Sequence, residues 1–317
     1  MKKKLIILVI LMIVIAAAST IIFTVINKNN KADSKSTSEE NRLKIVTTFY
    51  PVYLIGINLF DNIEEVEVIS LTDLDTGCLH DYQLTTQDMK NISMADILVI
   101  NGGGMEAFMD DVTKNYPNLT IIDASNNIEL NQDNSHIWLN PALYAKQIEN
   151  VRDSIINYLD TKLSKNLDAA KIKQNVEFNA AAYIGKVMEV DLKLSDLEEN
   201  IKRSYGDNLP KAVIFHEAFE YMATRIGLPV AYTIPLDHDT ALSAEEIAKI
   251  INDVKNDGIR YLFTEEQYSD SVAKRIEAET TAKAYIIDSA VTGDGSKSSY
   301  MDAMEYNIEV LKAALFE

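Results

Sequence analysis

His80, His136, His216 and His238 are the only histidines of a 317-residue chain, and Cys78, two positions before the first of them, is its only cysteine. Neutral imidazole and carboxylate suit zinc, which takes four tetrahedral nitrogen, sulfur or oxygen ligands. Three nitrogens tilt a site toward zinc, because manganese more often takes oxygen-rich sites. Thiolate is also a good zinc ligand, and the spacing in "GCLH" lets both side chains of Cys78 and His80 reach one ion. The other reading of Cys78 is a small, partly buried residue that shapes its loop.

The elements that must position these residues are legible as short apolar runs separated by helical stretches. "LKIVTTFY" (43–50), "VEVISL" (66–71), "DILVIN" (96–101) and "LTIIDA" (119–124) read as four strands, near-continuously apolar as in a sheet covered on both faces. A second set follows in "KAVIFH" (211–216), "PVAYTI" (229–234), "IRYLFTEE" (259–266) and "AKAYIIDS" (282–289). Thr85 with Asp88 and Ser243 with Glu246 have the spacing of helix-capping pairs. The expected fold is α/β: two βα lobes with mostly parallel four-stranded sheets. On this reading His80 and His136 lie in loops after strands two and four, and His216 closes strand five. His238 follows strand six, Glu265 and Glu266 end strand seven, and Asp288 ends strand eight. Ligands of open α/β sheets bind outside the carboxyl ends of the strands, and all of these residues point to that edge.

Between the two sets lies a stretch with no strand signal. Ile172, Val176, Ala180, Tyr183, Val187, Val190, Leu194, Leu197 and Ile201 step by fours and threes, one stripe of a helix over 167–204. At 1.5 Å per residue it would be roughly 55 Å long, more than one lobe needs. It reads as a strut along both lobes; a coiled-coil dimerisation arm would carry the same stripe, and the segment before it allows a break near "TKLSKN". The expected organisation is an N-terminal signal or membrane anchor at 1–26, a flexible tether at 27–42, an N-terminal lobe at 43–165, a linking helix at 166–205 and a C-terminal lobe at 206–317.

"MKKK" precedes an apolar run from Leu5 to Ile26, long enough for a spanning helix, which needs about 20 residues. Lys2, Lys3 and Lys4 should stay cytoplasmic, placing the rest of the chain outside. "AAAS" at 16–19 could be cleaved, but more apolar chain follows it. A net charge of −18 argues against nucleic acid or an anionic membrane surface as a partner, and one cysteine excludes an internal disulfide.

Other chemistries find less support. Gly102, Gly103 and Gly104 lack the spacing and trailing lysine of a phosphate loop and read as a tight turn. "HEAFE" has Glu220 four residues after His216, so the two-histidine helical zinc motif is absent. If Asp288 did not bind metal, Glu217 or Glu265 could serve as a base beside zinc-bound water, the hydrolase alternative. A surface adhesin with a structural metal is a third class.

"IVTTFYPVY", "ADILVINGGGME", "SHIWLNP", "VIFHEAFEY" and "YIIDS" resemble the metal-specific substrate-binding proteins of ABC importers, in motif order and over residues 43–317. The resemblance implies two βα lobes joined by one long backbone helix, with the metal in the cleft between them. It carries the ligand roles onto His80, His136, His216 and Asp288, with Cys78, His238 and Glu265 as further candidates. Glu stands at the position of His216 in manganese-type members, so His implies the zinc type; manganese capture is the alternative. Three histidines and one aspartate complete a tetrahedron, which returns Cys78 to loop architecture. The chain departs from the family pattern at Cys78 and Leu79, where an acid and Pro are usual, and at Ser289 and Ala290. The function implied is not enzymatic: an anchored, extracytoplasmic, monomeric protein that hands zinc to an ABC permease with its cytoplasmic ATPase.

Overall fold

The structure is a computed structural model that describes residues 41–234, 242–265 and 271–316. The apolar run at 5–26, most of the tether, His238 and Glu266 lie outside the described residues. Among the described residues no helix is long and apolar enough to cross a membrane. The described residues within 44–163 and 168–316 form one compact unit. In a separate unit, residues 41–43 meet the turn at 164–167, where Asn41 donates to the Asn166 carbonyl at 3.4 Å.

The first sheet is built from β1 (Leu43–Thr47), β2 (Val66–Ser70), β3 (Ile97–Ile100) and β4 (Thr120–Asp123) in the order β2-β1-β3-β4. The second repeats that order with β5 (Ala212–Ile214), β6 (Val230–Thr233), β7 (Tyr261–Glu265) and β8 (Lys283–Ile287), as β6-β5-β7-β8. The pairings β1–β3, β3–β4, β5–β6, β5–β7 and β7–β8 are parallel. Ile97, Leu98, Val99 and Ile100 are all buried, as expected of a central strand covered on both faces. In this order the chain reverses its direction of winding between β1 and β3, and again between β5 and β7. The crevice outside the carboxyl ends of strands opens at such a reversal.

The helices of the first lobe are α1 (Tyr50–Leu59), α2 (Thr86–Ser93) and α3 (Met109–Asn115); α4 (Pro141–Thr161) follows, and α5 (Ala169–Tyr205) is the long one. The second lobe carries α6 (Phe219–Arg225), α7 (Ala244–Asn256), α8 (Ser271–Glu279) and α9 (Ser299–Phe316). Both anticipated capping boxes are present, Thr85 with Asp88 and Ser243 with Glu246. The helix α3 begins at Met109, three residues past Glu106. Before it, the buried Glu106 side chain turns back to accept from Thr48 Oγ1 at 2.6 Å, the Asn101 amide at 2.7 Å and the Gly102 amide at 3.1 Å. Gly102 itself is obligatory. It sits at φ +78, and a Cβ there would lie 1.8 Å from Asp123 Oδ1.

α5 runs without a break for 37 residues, Asp168 capping its start and Gly206 its end. All nine stripe residues are buried, covered by α1, α4, α6 and α9 of the same chain, so the stripe is consumed within the molecule. Asp191, on the same buried face, was not anticipated. Its carboxylate takes a two-pronged bond from Arg225 of α6, Nε to Oδ1 at 2.6 Å and Nη2 to Oδ2 at 3.0 Å. Fork-to-fork geometry in a mostly buried setting is the strong form of an ion pair. Arg225→Ala, which strands Asp191, is expected to lower unfolding free energy by about 2 kcal/mol in a denaturant titration; a change below about 0.5 kcal/mol would show the pair to be ornamental.

Candidate metal centre

Four segments converge where the carboxyl edges of the two sheets meet. The loop after β2 carries Cys78 and His80, and Leu79 between them is fully buried and anchors it. Further along, Tyr82 donates its hydroxyl to Asp88 Oδ2 at 2.9 Å, tying the loop to the capping box of α2.

His136 follows a tight reversal at Asn131–Asn134, where Gln132 and Asp133 both have positive φ, 50 and 64. The reversal is gripped by Tyr221 of the second lobe, whose hydroxyl accepts from the Asn131 amide at 3.1 Å and donates to the Asn134 carbonyl at 2.7 Å. Asn134 then fixes the chemistry of His136. Its Nδ2 donates to the Glu217 carbonyl at 2.9 Å, so its Oδ1 must be the atom facing His136 Nδ1 at 2.8 Å. An amide oxygen cannot donate, so Nδ1 carries the proton and Nε2 presents a lone pair. The ring is fully buried. Burial, then the neighbouring His216 and His80, hold its pKa well below the ordinary imidazole value, so the neutral, ligating form persists into mild acid.

His216 stands just past β5, and its Nδ1 lies 2.6 Å from Glu265 Oε1 at the end of β7, both side chains buried. A carboxylate on the far nitrogen orients an imidazole and raises its basicity toward a metal on the near one. The His136 and His216 rings meet edge to face at 4.6 Å between centroids, and His80 lies 5.1 Å from His136. His80 Nε2 is 3.3 Å from His136 Nε2, and Cys78 Sγ is 3.5 Å from the same nitrogen.

Among the described residues, two groups of three bring ligand atoms within 4.8 Å of one another: Cys78, His136 and His216, and His80, His136 and Glu217. Glu217 is the weaker member. Its side chain is about half exposed, and its carboxylate stands 3.8 Å from His136 Nδ1, the nitrogen Asn134 already occupies.

Asp288 belongs to neither group. It lines a cavity of about 300 Å³ with Glu265, Ser289, Thr292 and Tyr306. Its main chain is clamped by Asn307, which accepts from the Asp288 amide at 2.8 Å and donates to its carbonyl at 2.7 Å. Asp288 Oδ1 accepts from the Ala290 amide at 2.7 Å. The adjoining Ser289 carbonyl accepts from Trp138 Nε1 at 2.8 Å, which ties the segment of Asp288 to the turn that carries His136.

The structure thus brings together His80, His136, His216, Glu265 and Cys78, and sets Asp288 in the adjoining cavity. Sequence reasoning missed Asn134. An asparagine two residues before a candidate ligand is the signal that could have found it, since Asn and Asp side chains bond to groups two positions on.

Two parallel four-stranded lobes, joined by one long helix and with imidazoles gathered at the facing strand ends, define a helix-linked substrate-binding protein. Comparison with known proteins agrees. The chain belongs to the family of the periplasmic zinc-uptake complex component A, ZnuA, whose model matches residues 45–314. It is 28% identical over 313 residues to the zinc-binding protein AdcA of Streptococcus pyogenes serotype M6, covering 88% of this chain and 57% of that protein. The chain therefore spans little more than half the length of that relative. Against the high-affinity zinc uptake system protein ZnuA of Bacillus subtilis it is 24% identical over 313 residues, covering 90% of this chain and 92% of that one. The solved structure of the Zn(II)-bound ZnuA-like domain of Streptococcus pneumoniae AdcA superposes with a TM-score of 0.70 at 26% identity, covering 87% of this chain and all of that domain.

Proposed function

We propose that this protein captures a zinc ion from outside the cytoplasm and delivers it to an ABC permease driven by a cytoplasmic ATPase. The observation that carries this is the convergence of His80, His136 and His216 from both lobes, with the two protonated nitrogens of His136 and His216 turned away onto Asn134 and Glu265. Zinc-binding and zinc-uptake proteins among the relatives support the same reading. The three imidazoles are the nitrogen ligands. Two side chains compete for the fourth position: Asp288, from the adjoining cavity, and Cys78, from the loop of His80. Glu265 acts by holding His216. His80, His136 and His216 give nitrogen-rich coordination, which disfavours manganese. No hydrolytic role is assigned to Glu217.

The lobes 43–165 and 206–317, with the linking helix between them, act as a monomer. The apolar run Leu5–Ile26, preceded by three lysines, anchors it, with 27–42 as the tether.

The deciding experiment is a chelator-competition titration of residues 31–317 with zinc and with manganese. One tight zinc site with much weaker manganese binding is expected; equal affinities, or no binding, would overturn the reading. In the same assay Asn134→Ala frees the His136 ring to rotate and change tautomer. It is expected to weaken zinc binding about 10- to 100-fold without changing stoichiometry, and unchanged affinity would show that Asn134 does not set the ring.

A further inference from the structure

The contacts of Cys78 go beyond what a loop-shaping residue needs. His136 is fully buried, its Nδ1 is committed to Asn134, and its single remaining lone pair on Nε2 is approached by two groups at once, Cys78 Sγ and His80 Nε2. One lone pair cannot accept well from both, and a cation held by His136 Nε2 would relieve that competition.

Two of the separations have the size such an ion requires. With zinc–sulfur bonds near 2.3 Å and zinc–nitrogen bonds near 2.0–2.1 Å, a tetrahedron has sulfur–nitrogen edges of about 3.5–3.6 Å and nitrogen–nitrogen edges of about 3.3–3.4 Å. Cys78 Sγ to His136 Nε2 is 3.5 Å, and His80 Nε2 to His136 Nε2 is 3.3 Å. His216 joins Cys78 and His136, the ligand atoms of the three lying within 4.8 Å of one another, while His80 reaches the same His136 nitrogen as a member of the second group. Among the described residues Asp288 falls in neither group, and one of its oxygens accepts from the Ala290 amide.

We propose that Cys78 is a thiolate ligand of the transported ion, giving a sulfur and three-nitrogen site in which Cys78, rather than Asp288, fills the fourth position. This rests on the zinc-capture reading and specifies its ligand class: d¹⁰ cations of borderline or soft character. On binding, a sulfur–metal bond forms, the S–H bond breaks and the proton leaves to bulk water; nothing is oxidised or reduced. Asp288 then serves as a neighbouring carboxylate in the cavity rather than as a bond to the metal. Sulfur strengthens the preference of the site for zinc over manganese, because manganese gains little from thiolate.

The test is to load reduced wild-type protein with cobalt(II), whose thiolate complexes show an intense near-ultraviolet charge-transfer band that imidazole and carboxylate complexes lack. Wild type is expected to show the band at one equivalent, and Cys78→Ser to bind cobalt without it. In chelator competition, Cys78→Ser should lose about tenfold or more in zinc affinity and leave manganese affinity unchanged. One-equivalent cobalt binding by wild type without the band overturns the proposal while zinc capture stands, and it does so whether or not the variant folds. An unchanged zinc-to-manganese ratio in a folded Cys78→Ser protein also overturns it. Failure of wild type to bind zinc or cobalt at all overturns the capture reading and this proposal together.

Discussion

His136→Ala is expected to weaken zinc binding by about 100- to 1,000-fold. Complete four-ligand sites are worth about 10–16 kcal/mol, so one bond carries roughly a quarter of that, about 3–4 kcal/mol. His136 is the member with most to lose because it belongs to both groups of candidate ligands and its ring is fully buried. With the ring gone, Asn134 Oδ1 loses the Nδ1 proton it accepts, while its Nδ2 stays on the Glu217 carbonyl. The measurement is zinc affinity by chelator competition on a variant shown by circular dichroism to remain folded. A loss of less than tenfold would remove His136 from the metal centre and with it the shared vertex of the site.

A second large effect concerns stability without metal. Glu106 is buried, and burial pushes its carboxyl up to about 7 in spite of the bonds from Thr48, Asn101 and Gly102 that favour the charged form. Between an ordinary carboxyl pKa of 4.5 and about 7, the folded chain holds a proton that the unfolded chain has released. Stability from this group is therefore fully present below pH 4.5 and is lost as pH rises through 7, a swing of about 3 kcal/mol. The direction is opposite to that of an ion-paired carboxylate. Glu106→Ala leaves three inward donors without an acceptor and is expected to cost about 4 kcal/mol at pH 5. At pH 8, where the wild type bears the buried charge, the difference should shrink to about 1 kcal/mol. Denaturant titrations of both metal-free proteins at the two pH values decide this. A difference that grows with pH would mean that the three bonds outweigh burial and the carboxyl ionises in the folded chain.

The fold was readable because its physics is local. Buried parallel strands must be apolar along their length, which marks "DILVIN" and "YLFTE" without any knowledge of their neighbours. Thr85 with Asp88, and the nine-residue stripe of α5, are likewise matters of spacing within one element. That His80, His136 and His216 lie near one another was readable because each closes or follows a strand. What stayed hidden depends on how separate elements meet. Nothing in "VIFHEAFEY" says that His216 will hold Glu265, 49 residues on, rather than the adjacent Glu217. Arg225 and Asp191 lie 34 positions apart, and no periodicity couples them. Cys78 was legible as a residue type but not as a distance. That its sulfur lies 3.5 Å from His136 follows from the path of two loops around the buried Leu79 and the Tyr221-gripped reversal.

The unbroken helix α5 has a mechanical consequence. It is the only covalent crossing from the first lobe to the second, and it has no proline, its one interior glycine being Gly185. A helix of this kind bends only by lengthening hydrogen bonds along one side, and sharp kinks need a proline, a bulge or an inserted group. Prising the lobes apart therefore loads an elastic rod along its whole length rather than pivoting at a point, and the restoring force grows with the angle. An ion bound as proposed, between the loop of His80 and the strand end of His216, would add a brace across the open side of that rod. Loaded and empty molecules are then expected to differ more in rigidity than in outline.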